Sequence, residues 1–173
     1  MKCSKIRKRL PLLALIGFAA FLASAKGTTA GNKEEPVKLK ATASTIDKEG
    51  RQSVTVTMEI AKDWHAYANP VNNEFFAGTE TQLKIVGPQK IEIVKVDYPA
   101  GKQATDVLEG KKIAYMIYEG RVEITAVVKR TAGDSGPLTV SVRYNVCNDV
   151  THQCLAPAQV KLEVKTPMSK ETP

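Results

Sequence analysis

The sequence predicts an all-β fold in which two antiparallel sheets pack face to face. Three observations point there. From Val37 onward apolar residues recur mostly at every second position, the period of a strand with one buried face. Turn-forming residues separate these runs at short intervals. No segment holds the 3.6-residue period of a helix.

Taken in order, a weak run at Val37–Ala43 is followed by a turn at residues 47–50. A clear strand follows, in which Val54, Val56, Met58 and Ile60 alternate with Ser53, Thr55, Thr57 and Glu59. Weaker runs at residues 81–86, 91–97 and 113–118 are bounded by Gly87-Pro88, by residues 99–101 and by Glu119-Gly120. Val122, Ile124, Ala126 and Val128 form a second clear strand, and residues 133–137 a further turn. Leu138, Val140, Val142 and Tyr144 form a third, and Val160, Leu162 and Val164 the last. Eight or nine short strands with polar outward positions fit a β-sandwich of immunoglobulin-like type, although a closed barrel shows the same alternation.

The chain opens with five positive and no negative charges (Lys2, Lys5, Arg7, Lys8, Arg9), runs apolar to Ala23 and reaches Ala23-Ser24-Ala25. This pattern predicts a signal peptide over residues 1–25, cleaved near Ala25, and an exported chain with no stable membrane insertion afterwards. Cys3 leaves with the leader. Of 25 basic residues the leader removes five, leaving 20 against 18 acidic, so the net charge falls from +7 to +2. That balance argues against nucleic acid as a partner. Residues 26–36 read as a flexible lead-in, 37–165 as one domain with its own core, and 166–173 as a loose tail.

Two cysteines then remain, Cys147 and Cys154, in YNVCNDVTHQC. Their even number suits an oxidising compartment. Counting from Leu138, core parity falls on even positions, so Cys147 takes the outward parity if that strand runs so far; the pair is also only a short hairpin apart, unlike the inter-sheet bridge of an antibody domain. A Cys147–Cys154 bond closes a loop of about eight residues, which chain entropy rates at roughly 2.5 kcal/mol. Spacing alone leaves a structural staple and an exchanging pair both open, since neither cysteine sits in a Cys-x-x-Cys motif.

Three segments in succession resemble one family: WHAYANP at residues 64–70, YPAGKQATDVLEGK at 98–111, and Tyr144-x-x-Cys147-x6-Cys154-Leu155-x-Pro157. Together they resemble the N-terminal periplasmic domain of the thiol:disulfide interchange protein DsbD, over about residues 37–164. The resemblance implies an immunoglobulin-like fold and a redox-active pair needing no cofactor and no metal. It implies that the dithiol reduces thioredoxin-like periplasmic partners and is re-reduced by a separate membrane thiol carrier, as a protein-disulfide reductase component. Cys154 is then the sulfur that attacks the partner, and Cys147 the one that resolves the mixed disulfide. A cap loop at residues 106–110 is expected to shield the pair, with Leu108 where the family carries an aromatic residue. Asp106 stands there without a second acid, because Val107 takes the next place. Tyr144 and His152 are expected to support the site. The Cys-to-Cys spacing is one residue longer than in familiar members.

Other readings compete. Cys147, His152 and Cys154 are three possible ligands for copper(I) or zinc. A non-catalytic binding sandwich with a permanent hairpin disulfide would place a ligand on Trp64, Tyr67, Phe75 and Phe76, residues otherwise read as packing. His65, beside Trp64, offers a possible base, but no serine or third cysteine is placed by motif to use it, and it reads as a structural histidine near a strand end. No phosphate loop, zinc-protease helix or nucleophile elbow is present.

Overall fold

The computed structural model describes residues 35–167. The predicted leader and Cys3 lie outside the described residues, as do most of the lead-in and the tail. Within them, eleven strands follow one another: β1 Val37–Ala43, β2 Arg51–Ile60, β3 Trp64–Tyr67, β4 Gln82–Val86, β5 Ile91–Asp97, β6 Lys102–Leu108, β7 Lys111–Tyr118, β8 Arg121–Arg130, β9 Leu138–Tyr144, β10 Val146–Asn148 and β11 Ala158–Val164. The only helical element among the described residues is a single 3-10 turn, Glu74–Phe76.

The strands form three antiparallel sheets, ordered β1-β2-β8-β5, β11-β9-β4 and β10-β3-β7-β6. Alternation dictates the first. Val54, Val56 and Met58 of β2 stand opposite Ala126, Ile124 and Val122 of β8, and all six are buried. In the second sheet, Leu138, Val140 and Val142 of β9 turn inward with Ile85 of β4 and Val164 of β11. These faces share one core, as expected for a sandwich. The third sheet joins the same core through Ala66, Tyr118 and Val146.

All the runs expected from periodicity are strands, and β3, β6 and β10 are additional. β3 is four residues long and buried along most of its length, so it has no polar alternation to display. β6 is an edge strand, mostly exposed. Its residues 106–108, expected in a cap loop, pair in register with Lys111, Lys112 and Ile113 of β7. Only Glu109 and Gly110 form the turn, both at positive φ (50° and 76°), the geometry of a tight two-residue hairpin. Where β6 begins, a Cβ on Gly101 would lie 2.7 Å from Ala68 Cβ and 3.0 Å from Met116 Cβ, so only glycine lets the strand approach this closely. β5 carries a bulge between Ile93 and Lys95, which leaves Ile93 and Val94 exposed.

At one end of the sandwich Arg130 is buried against Asp134 (Nη2 to Oδ1, 3.0 Å) and donates to Gln52 Oε1 at 2.8 Å. Thr166, the first residue of the expected tail, accepts there from Gln52 and Arg130.

The core sets the stability of the domain. Ile124→Ala should lower the unfolding free energy by about 2–5 kcal/mol, since Ile124 is fully enclosed. Val107→Ala, on the exposed face of β6, should change it by less than about 0.5 kcal/mol. Urea denaturation of both variants, with the disulfide intact, measures the difference.

Candidate functional site

The third sheet uses both of its faces. Residues directly opposed across antiparallel strands share a face, and so do residues two apart along a strand. Cys147 of β10 stands opposite His65 of β3; Tyr67, two residues on, stands opposite Ile117 of β7; and Tyr115, two residues before Ile117, stands opposite Ala104 of β6. Asp106 follows Ala104 on the same face. These residues line one cleft of about 240 Å³, together with His152, Cys154 and Asp149. The intervening residues Trp64, Ala66, Met116, Tyr118 and Val146 pack into the main core instead.

Cys147 thus lies on the face away from the main core, though not by continuation of the strand from Leu138, and that face is not open. β9 ends at Tyr144, the chain steps through Asn145 into the third sheet, and Cys147 is only 5% exposed. It belongs to a second apolar cluster with Tyr67, Val71, Tyr115 and Ile117, against which Phe76 packs. Phe76 stacks on Tyr67 with ring centroids 5.1 Å apart and lies 4.4 Å from the Tyr115 ring. The Tyr67 hydroxyl lies 3.6 Å from Cys147 Sγ.

Cys147 and Cys154 are joined by a disulfide, their Cα atoms 3.9 Å apart in an antiparallel bridge. The turn between them is organised by Asn148, whose Oδ1 accepts from the Val150 and Thr151 amides at 3.0 and 2.8 Å. His152 adopts φ 56°, its amide donates to the Asn148 carbonyl at 2.9 Å, and the Asn148 amide donates to the Gln153 carbonyl at 3.0 Å. This left-handed step turns the chain back so that Cys154 meets Cys147. Cys154 is exposed, unlike its partner.

Two carboxylates border the cleft. Asp106 comes from β6; Asp149 comes from the turn after β10, and its Oδ1 accepts from His65 Nδ1 at 2.6 Å. Burial raises the Tyr67 hydroxyl above the ordinary tyrosine range, and Tyr115 and Asp106 push it further. Tyr115 is raised by burial first, then by Asp106 and Asp149. Both phenols consequently remain protonated donors at neutral pH.

Of the residues singled out from sequence, Cys147, Cys154, Asp106 and His152 meet at this cleft. Leu108 is not among the residues lining it, and Tyr144 lies in the main core beside Ala158. Sequence reasoning assigned His65, Tyr67 and Phe76 to packing and did not single out Tyr115 or Asp149. The legible signal was Asp149 two residues after Cys147, together with the i, i+2 spacing of His65 and Tyr67. Among the described residues no three His, Cys, Asp or Glu side chains form a metal-binding group. Nor is any helix there long and apolar enough to cross a membrane.

No curated protein matches the sequence. Two solved structures share its fold. One is the N-terminal periplasmic domain of ScsB from Proteus mirabilis, with TM-score 0.53 and 13% identity over 78% of this chain and 48% of that one. The other is the complex between the DsbD N-terminal and PilB N-terminal domains from Neisseria meningitidis, with TM-score 0.51 and 12% identity over 76% and 84%. The reduced N-terminal domain of Neisseria meningitidis DsbD also matches, at TM-score 0.43 and 17% identity over 70% and 80%. Residues 33–166 fit the family model described as thiol:disulfide interchange protein DsbD, N-terminal. An all-β chain whose sheet face presents a disulfide at a cleft, matched by that model over most of its length, belongs to the DsbD N-terminal family of thiol:disulfide interchange proteins.

Proposed function

We propose that this chain works in the periplasm as a dithiol–disulfide exchange module, and that its two sulfurs have unequal tasks. The observation that carries this is the difference in burial: Cys147 lies under Tyr67 at 5% exposure, while Cys154 faces solvent. Exchange requires a thiolate to approach a sulfur in line with the bond it breaks, so the accessible atom is the one a partner meets.

In the reduced chain the Cys154 thiolate attacks a partner disulfide. One partner sulfur leaves as a thiolate and a mixed disulfide forms. Cys147 then loses its proton and attacks Cys154 Sγ, which releases the second partner sulfur. Two electrons pass to the partner, which leaves as a dithiol, and the Cys147–Cys154 bond is restored. In the reverse direction an incoming thiolate attacks Cys154, and Cys147 departs as a thiolate to which the Tyr67 hydroxyl can donate. The partners in this reading are thioredoxin-like proteins on one side and a membrane thiol carrier on the other. The Neisseria meningitidis DsbD–PilB complex supports the first, because that relative engages a separate domain through the same fold.

Cys147→Ala should accumulate a covalent complex through Cys154 when the reduced variant meets an oxidised thioredoxin-fold protein, whereas Cys154→Ala should accumulate little. Non-reducing electrophoresis reads both. Equal trapping by the two variants contradicts the assignment of roles. Tyr67→Phe should keep the fold and slow alkylation of reduced Cys147 by about tenfold at neutral pH, the worth of one hydrogen bond to a charged sulfur. An unchanged rate removes Tyr67 from the site.

A further inference from the structure

Resolution by Cys147 requires its thiol to lose a proton inside a nearly closed cluster. Burial in apolar surroundings opposes that loss. Tyr67 does not solve the difficulty: its hydroxyl can stabilise a thiolate by donating to it, but a protonated phenol is a poor acceptor for the departing proton.

The group best placed to accept it stands opposite Cys147. His65 is 7% exposed and stands directly opposite Cys147 in the β3–β10 pairing, so the two side chains occupy the same face as nearest cross-strand neighbours. Its Nδ1 is 2.6 Å from Asp149 Oδ1. An ionised carboxylate only accepts, so Nδ1 carries the hydrogen and the lone pair of the neutral ring sits on Nε2. That nitrogen is buried and has no hydrogen-bond partner among the described residues. An orphaned acceptor in the oxidised state is accounted for if its donor exists only in the reduced state, and the Cys147 S–H is such a donor.

We propose that His65, held in one tautomer by Asp149, is the proton carrier of the exchange. It takes the proton of Cys147 onto Nε2 as the Cys147 sulfur attacks Cys154, and returns it to the partner thiolate expelled in that step. Asp149 is the positioning residue, which fixes the ring and stabilises the imidazolium that forms. The inference rests on the exchange role proposed for the cysteine pair. Other titratable groups face the same space: Tyr67 on β3, Asp106 on β6, Tyr115 on β7 and His152 in the turn. Lys102, paired with Glu119, also feels the charge of Asp149. Asp106 and the two phenols carry no positive charge that would compete with an imidazolium, whereas His152 is an alternative base that the test must separate.

Reduced protein is mixed with oxidised glutathione, and the Cys154–glutathione adduct is followed by acid quench and mass spectrometry as it converts to the internal disulfide, from pH 5.5 to 9.5. His65→Gln is expected to slow this conversion about tenfold or more at pH 7, with the gap closing at the alkaline end, where the thiol ionises without help. Asp149→Asn, at an exposed carboxylate, is expected to move the profile in the same direction by less. A purely structural role for His65 would lower the rate by one factor at every pH, and that result overturns the proposal. So do unchanged profiles in both variants, or a shift produced by His152→Ala and not by His65→Gln. If the unaltered protein forms no adduct or never resolves it, the exchange reading itself fails, which is a different outcome.

Discussion

The alternation of side chains across one small sheet is the constraint on which the rest depends. In β3, β7 and β10, Trp64, Ala66, Met116, Tyr118 and Val146 enter the main core, while His65, Tyr67, Tyr115, Ile117 and Cys147 between them line the disulfide cleft. The core face supplies rigidity: Ala66, Tyr118 and Val146 are enclosed by the other two sheets, so the opposite face cannot shift without unpacking them. A one-residue slip of β10 against β3 would place Cys147 in the core and Val146 at the cleft. The turn at residues 148–153, tied by Asn148, then sets where Cys154 meets its partner.

Burial divides the pair. Cys147 is buried beside the Tyr67 hydroxyl in a cluster against which Phe76 packs, and Cys154 is left to solvent. A staple has no use for that difference, because a permanent bond closing so short a loop adds only about 2.5 kcal/mol whichever sulfur is covered. An exchanging pair does use it, since access decides which sulfur is attacked and enclosure holds the other until the first has reacted. Two carboxylates, Asp106 from β6 and Asp149 from the turn, border the cleft, and the neighbouring phenols are raised above the ordinary tyrosine range by burial first and by these charges second.

Much of this was legible in the sequence because one-sided burial leaves a period of two. β2, β8 and β9 are read from alternation alone. β3 and β10 were not, because short strands pairing with each other near the end of a sheet carry no polar alternation. β6 has no strand signal in the sequence, and its residues 106–108 were placed in a cap loop by resemblance, because an exposed edge strand has almost no buried residues to count. Within the site, the cysteines, Asp106 and His152 stood out by chemical type or by resemblance. Tyr115 and Asp149 did not, and His65 was set aside as structural, because their meeting depends on pairings across β3, β7 and β10 that no local pattern records. Val107 stands beside Asp106 where the resemblance leads one to expect a second acid, and another carboxylate, Asp149, lines the same cleft.

The central claim is that the Cys147–Cys154 bond opens and closes in the folded protein. Equilibrating the folded chain with dithiol buffers of graded potential, and counting free thiols by alkylation, tests it most directly. A reversible two-electron midpoint above about −300 mV, within reach of thioredoxin-like proteins, is the expected result. A bond that stays closed below that potential, and opens only once the protein is unfolded, would contradict the account.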